Sequence, residues 1–133
     1  MNILFYAHSG LRYLVLLAAL AALIALTYSV TTGHATRPAR TLSASFAGVL
    51  DLQVLLGIFL MMGGMRSDAV TGHLLLMIFA AVVTHGAFLT AQQLRSERGE
   101  LTTRLAGIVV AIALIVVGIM AIGQTVLGHS AFR

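Results

Sequence analysis

The chain has no cysteine, no lysine and a single proline. Without cysteine it holds no disulfide, no thiolate zinc site and no thioether-linked haem. Without lysine, all eight basic residues are arginine, and only four acidic residues stand against them. Charged residues make up 9% of 133, where a soluble domain has about 25%. That scarcity excludes an ordinary soluble fold. The net charge of +4 is modest and sits mostly in linkers and ends. It reads as an orientation signal and not as affinity for nucleic acid.

What is present is apolar: 59% hydrophobic residues and a mean hydropathy of +1.02. A spanning helix needs about 20 mostly apolar residues. Four segments qualify, from about His8 to Thr31, Leu42 to Met65, Val70 to Leu94 and Leu105 to Leu127. The last has an interfacial start near Leu101. The expected fold is all-α, a transmembrane up-down-up-down four-helix bundle, with residues 1–133 as one domain. Short linkers favour antiparallel neighbours. The first linker holds Pro38, which cannot continue a helix, and the second holds the Gly63-Gly64 pair, which suits a helix end. The alanines of the first segment and Gly107, Gly118, Gly123 and Gly128 of the fourth suit close helix packing. No basic region precedes the first apolar run, so we expect that run to remain in the mature protein.

Arginine sets the expected orientation. The first and third linkers carry Arg37, Arg40, Arg95 and Arg98, with Arg104 nearby; the other side carries Arg66 and Arg133. The positive-inside rule then puts both termini on the outer side of a bacterial inner membrane.

Function must lie in the polar minority, because an ionisable group in hydrocarbon is costly and usually has a partner or a task. His8 and His73 start parallel helices, so both lie near the outer face. Met61, Met62, Met65 and His129 end on the same side. Arg12 follows His8 by four residues and shares its helical face. An imidazole with an arginine one turn below suits haem, the imidazole on iron and the guanidinium on a propionate. Equally, Arg12 can snorkel to the interface while His8 marks a helix start. Asp51 and His85 lie at matching depth, and a pair between them inside the bundle would satisfy both. Such a pair serves as a structural hydrogen bond, or as a proton relay or quinone contact. Gln53 points away from Asp51 and should bond to another helix. The methionines with the outer histidines suit Cu(I), although methionine also fills apolar cores. His34 and His129 should face solvent. No nucleophile triad, phosphate loop or zinc-hydrolase motif is present.

Three stretches together resemble a known family. They are His8-Ser9-Gly10-Leu11-Arg12-Tyr13, Asp51-Leu52-Gln53-Val54-Leu55-Leu56-Gly57, and His73-Leu74-Leu75-Leu76-Met77 with His85 beyond. They are similar to the small four-helix bacterial integral membrane proteins of the cytochrome b type. Gly72 stands where that family often has glutamate, and Gly86 stands where a basic residue commonly follows the second histidine. The resemblance therefore rests on His8 and His73 more than on His85. It implies a b-type haem, and the leading expectation is axial ligation by His8 and His73 with Arg12 near a propionate. The protein would carry electrons within a membrane assembly or between quinol and an outer carrier, and an oligomer is compatible with that role. With only short loops it has no room for a catalytic domain of its own. Two other expectations stand beside this one. One is a haem-free accessory or scaffold subunit of a respiratory or photosynthetic complex. The other is a copper-handling membrane protein using the Met/His cluster.

Overall fold

The computed structural model describes residues 2–124, 126 and 127. His129, Gly128 and Arg133, which the sequence placed at the outer end, lie outside the described residues. Four helices follow one another: α1 (Asn2–Thr32), α2 (Arg37–Met62), α3 (Asp68–Gln93) and α4 (Glu97–Ala121). The shortest has 25 residues, or about 37 Å at 1.5 Å per residue, which exceeds a hydrocarbon layer of about 30 Å. All four are long and apolar enough to cross a bilayer.

The helices begin earlier than their apolar runs. Thr36, Ser67 and Ser96 each cap a helix by accepting a hydrogen bond from the backbone N–H three residues on. Hydroxyl caps satisfy amide groups that the helix itself leaves open. For this reason α4 starts at Glu97 and not near Leu105, with Glu97 and Glu100 in its first turn where the helix dipole favours anions. It also stops at Ala121, short of Leu127, because Gly123 takes a φ of 70°. Likewise α1 begins at Asn2, so His8 lies almost two turns inside a helix and does not mark its start.

Helix α1 packs most closely on α2, and α3 on α4; α1 with α4 and α2 with α3 complete a ring. Helices α1 and α3 therefore face each other diagonally. Buried positions on α1 are Val15, Ala19, Ala22, Leu26 and Ser29, a spacing alternating four and three. Helix α2 repeats it through Ala39, Ser43, Phe46, Leu50 and Gln53. This is a heptad seam, the pattern of left-handed bundles. Many seam residues are small, which lets backbones approach closely in an apolar medium. Gly118 shows how closely: a Cβ there would lie 2.6 Å from the Met77 Cε and 3.3 Å from the Leu76 Cβ.

At the arginine-rich end, Arg40 grips Glu100 with two bonds of 3.1 and 2.8 Å. Arg104, one turn on from Glu100, bonds it at 3.2 Å and lies buried over the Phe88 ring at 4.8 Å. This network ties α2, α3 and α4 together at the end opposite the histidine pair.

Candidate functional site

The N-terminal ends of α1 and α3 meet the C-terminal ends of α2 and α4 at one end of the bundle. There His8 and His73 face each other across the diagonal, ring centroids 6.4 Å apart and planes at 87°. Two imidazoles on opposite sides of one metal, each with a metal–nitrogen distance of about 2 Å, place their centroids roughly 6 Å apart.

Each ring is held by the helix that follows its own. The His73 Nδ1 donates to the Gly118 carbonyl at 2.8 Å. That carbonyl is open because Gly118 falls in the last turn of α4, where no further helical N–H follows. The bond fixes the tautomer and leaves the His73 Nε2 as a bare lone pair, the arrangement typical of a metal-ligating histidine. On the other side, the Gln53 amide donates to the His8 backbone carbonyl at 3.0 Å and to its ring Nε2 at 3.3 Å. An amide nitrogen only donates, so the Nε2 accepts and the proton of His8 sits on Nδ1. The same separation of 45 residues relates His8 to Gln53 and His73 to Gly118. Helices α1–α2 and α3–α4 thus form two similar hairpins, each presenting one histidine. Each ring also lies against a glycine. A Cβ on Gly57 would lie 3.4 Å from the His8 Cε1, and one on Gly118 would lie 3.4 Å from the His73 Nδ1.

A cavity of about 260 Å³ opens beside the pair, lined by Phe5, His8, Arg12, Gln53, His73 and Met77 among others. A second, of about 100 Å³, touches the same two rings and is lined also by Gly57, Leu60, Val70 and Leu74. The His8 Nδ1 and the Gln53 Oε1 are buried here without a hydrogen-bond partner among the described residues. Buried polar atoms are normally paired, so this donor and this acceptor mark a place where a polar group would be accommodated. Arg12 reaches the larger cavity, and its guanidinium donates to the Tyr13 hydroxyl at 2.9 Å while lying over that ring.

The donor set suits a macrocycle better than a bare ion. Among the described residues no group of three or more His, Asp or Glu side chains converges. A structural zinc ion takes four protein ligands. A haem brings its own four nitrogens and needs only axial partners. The larger cavity is below the volume of ordinary small-molecule pockets, about 300 Å³ at the lower end. The two cavities share His8, Gln53, His73 and Met77 in their linings, so a planar group held by both rings would draw on both.

His8, Arg12 and His73 thus share one site. Asp51 and His85 do not join it. They do meet, with the His85 Nε2 2.9 Å from each Asp51 oxygen, but on the outside of the bundle between α2 and α3. Their side chains are 48% and 51% exposed, so the expectation of a pair inside the bundle is corrected. The reason is rotation: Asp51 follows the inward Leu50 by one residue, about 100° around the helix. The methionines also separate. Met65 lines the cavity, whereas Met62 is 71% exposed and Met61 lines neither cavity. Met77, which the sequence singled out only as part of the third motif, takes a place in both. His34 is exposed. Gln53 does bond to another helix, as expected, and its partner there is His8; the role of Gly118 toward His73 was not foreseen. Its one sequence signal is the matched spacing, which is visible only once both histidines are taken as equivalent.

No family model, no curated protein and no solved structure matches the chain.

Proposed function

We propose that this chain is a membrane-embedded protein that binds one b-type haem between His8 and His73 and passes electrons through it. The observation that carries the proposal is the pair of imidazoles 6.4 Å apart, one with its tautomer fixed by a backbone carbonyl. When bound, haem supplies a reversible one-electron step whose potential follows its axial ligands and surroundings. The chain's own residues do the rest. Gly118 orients His73 and keeps its Nε2 unprotonated. Gln53 holds the His8 ring in place. His8 would hold the iron through its Nε2, the lone pair that now accepts from Gln53, and Gln53 would then keep its bond to the His8 carbonyl as its hold on α1. Arg12 offers a guanidinium to a propionate from the larger cavity. Phe5, Met77 and the isoleucines of α4 line the cavity and limit water.

Helix polarity and arginine bias support an orientation with the termini and this site near the outer face of a bacterial cell membrane. There the site suits exchange with a quinol or with a neighbouring subunit. The test is the iron, haem and copper content of protein purified in detergent from cells supplied with haem and both metals. One haem per chain is expected. Protein that is folded and free of haem and iron overturns the proposal, and bound copper would replace it with a site built from the two histidines, Met65 and Met77.

A further inference from the structure

The Asp51–His85 pair lies where no polar pair should face lipid. Asp51 stands 14 residues from the Arg37 end of α2 and 11 from the Met62 end. At 1.5 Å per residue that is about 21 and 16 Å, well inside a hydrocarbon layer of about 30 Å. Both side chains are about half exposed there. Their surroundings are apolar, with Leu52, Leu55, Val82 and Leu89 all turned outward. An ionisable pair in contact with acyl chains is costly and is normally covered by protein.

The surface around it has the form of a helix-packing seam. On α2 the outward residues Ala44, Gly48, Asp51 and Leu55 are spaced four, three and four. On α3, Ile78, Val82, His85 and Leu89 have the same spacing. These stripes are separate from those that face the bundle core. Gly48 has open space where a Cβ would be, so a neighbouring helix can come close to the backbone beside Asp51. Among the described residues, Asp51 and His85 hydrogen-bond through their side chains only to each other, and only through the Nε2 of the ring. The Nδ1 and further carboxylate lone pairs are left over.

We propose that two copies of the chain pair through this α2–α3 face, each covering the other's Asp51–His85 pair. A two-fold axis along the membrane normal keeps every residue at its own depth. Carboxylate and imidazole already share one depth, so each Asp51 meets the partner's imidazole and each His85 meets the partner's carboxylate. The face is complementary to itself, as a two-fold interface requires. Each ring already meets its own carboxylate through Nε2 and would present its Nδ1 to the partner's carboxylate. The inference does not depend on haem.

The chain has no cysteine, so any cysteine introduced into it is unique. Leu55→Cys and Val82→Cys each put a thiol on the proposed interface, and Leu20→Cys puts one on an exposed position of α1. The experiment is mild oxidation of these variants in native membranes, read on a non-reducing gel. A dimer band for at least one interface variant, with none for Leu20→Cys, is expected. Adding Asp51→Ala to the cross-linking variant should reduce that band several-fold while the helical circular dichroism holds. Equal dimer from all three positions, no dimer from both interface positions, or a cross-link only to a different protein would overturn the proposal.

Discussion

Replacing Gly118 by alanine tests both the packing and the hold on His73. A new Cβ would lie 2.6 Å from the Met77 Cε, 3.3 Å from the Leu76 Cβ and 3.4 Å from the His73 Nδ1. The first neighbour is the end of a flexible side chain and can move, but into a cavity that the account assigns to a ligand. The second is attached directly to the α3 backbone and moves only with the helix. Overpacking of this kind costs about 1–3 kcal/mol. Alanine in place of a helical glycine gains about 1 kcal/mol. Gly10→Ala isolates that gain, since a Cβ at Gly10 has nothing within 4 Å. The useful quantity is the difference between the two variants, which cancels the helix term and leaves the clash of about 1–3 kcal/mol. Thermal unfolding in detergent, followed by circular dichroism, reads it. Gly10→Ala should match or exceed the wild type, and Gly118→Ala should unfold at lower temperature. If the two alanine variants unfold together, α3 and α4 are not packed this closely and the bond from His73 to the Gly118 carbonyl loses its basis.

Three further outcomes are expected. Glu100→Gln removes the carboxylate that pairs buried Arg104, and should destabilise the protein by about 1–3 kcal/mol; an unfolding midpoint equal to wild type would show the network to be idle. Gln53→Leu leaves the buried His8 Nε2 without its donor, and should cost a similar amount, about 1–3 kcal/mol; unchanged stability together with an unchanged position of His8 would contradict the assigned bond. A reporter fused after Arg133 should be active only outside the cytoplasm, given five arginines at the opposite linkers; cytoplasmic activity would invert the proposed orientation.

The helices were legible because each apolar run is long enough to cross a bilayer and the linkers between them are short. Their ends were less so. Hydropathy does not register Thr36, Ser67 and Ser96, yet these hydroxyls start α2, α3 and α4 in polar sequence. Matching depth brought His8 and His73 together correctly, because parallel helices carry equal offsets to equal depths. Depth alone could not tell inside from outside. Asp51 and His85 do pair, but nothing in a chain apolar on every face indicated which side of α2 looks inward. The heptad seam decides that, and in α2 it runs through Ala39, Ser43 and Gln53 as well as Phe46 and Leu50, so hydropathy alone does not pick it out. Gln53 illustrates the same point: one position in that seam turns its amide to His8, two residues from a carboxylate facing outward.

The central claim is tested most directly by the absorption spectrum of the protein and its histidine variants, purified with haem supplied, oxidised and then reduced. The wild type should be red, with sharp bands on reduction typical of a six-coordinate b-type haem. His8→Ala and His73→Ala should each lose that spectrum, and Arg12→Ala should weaken haem retention or shift its potential. His85→Ala, outside the site, should retain the wild-type bands. A colourless, stable wild type, or a spectrum indifferent to both His8 and His73, would contradict the account.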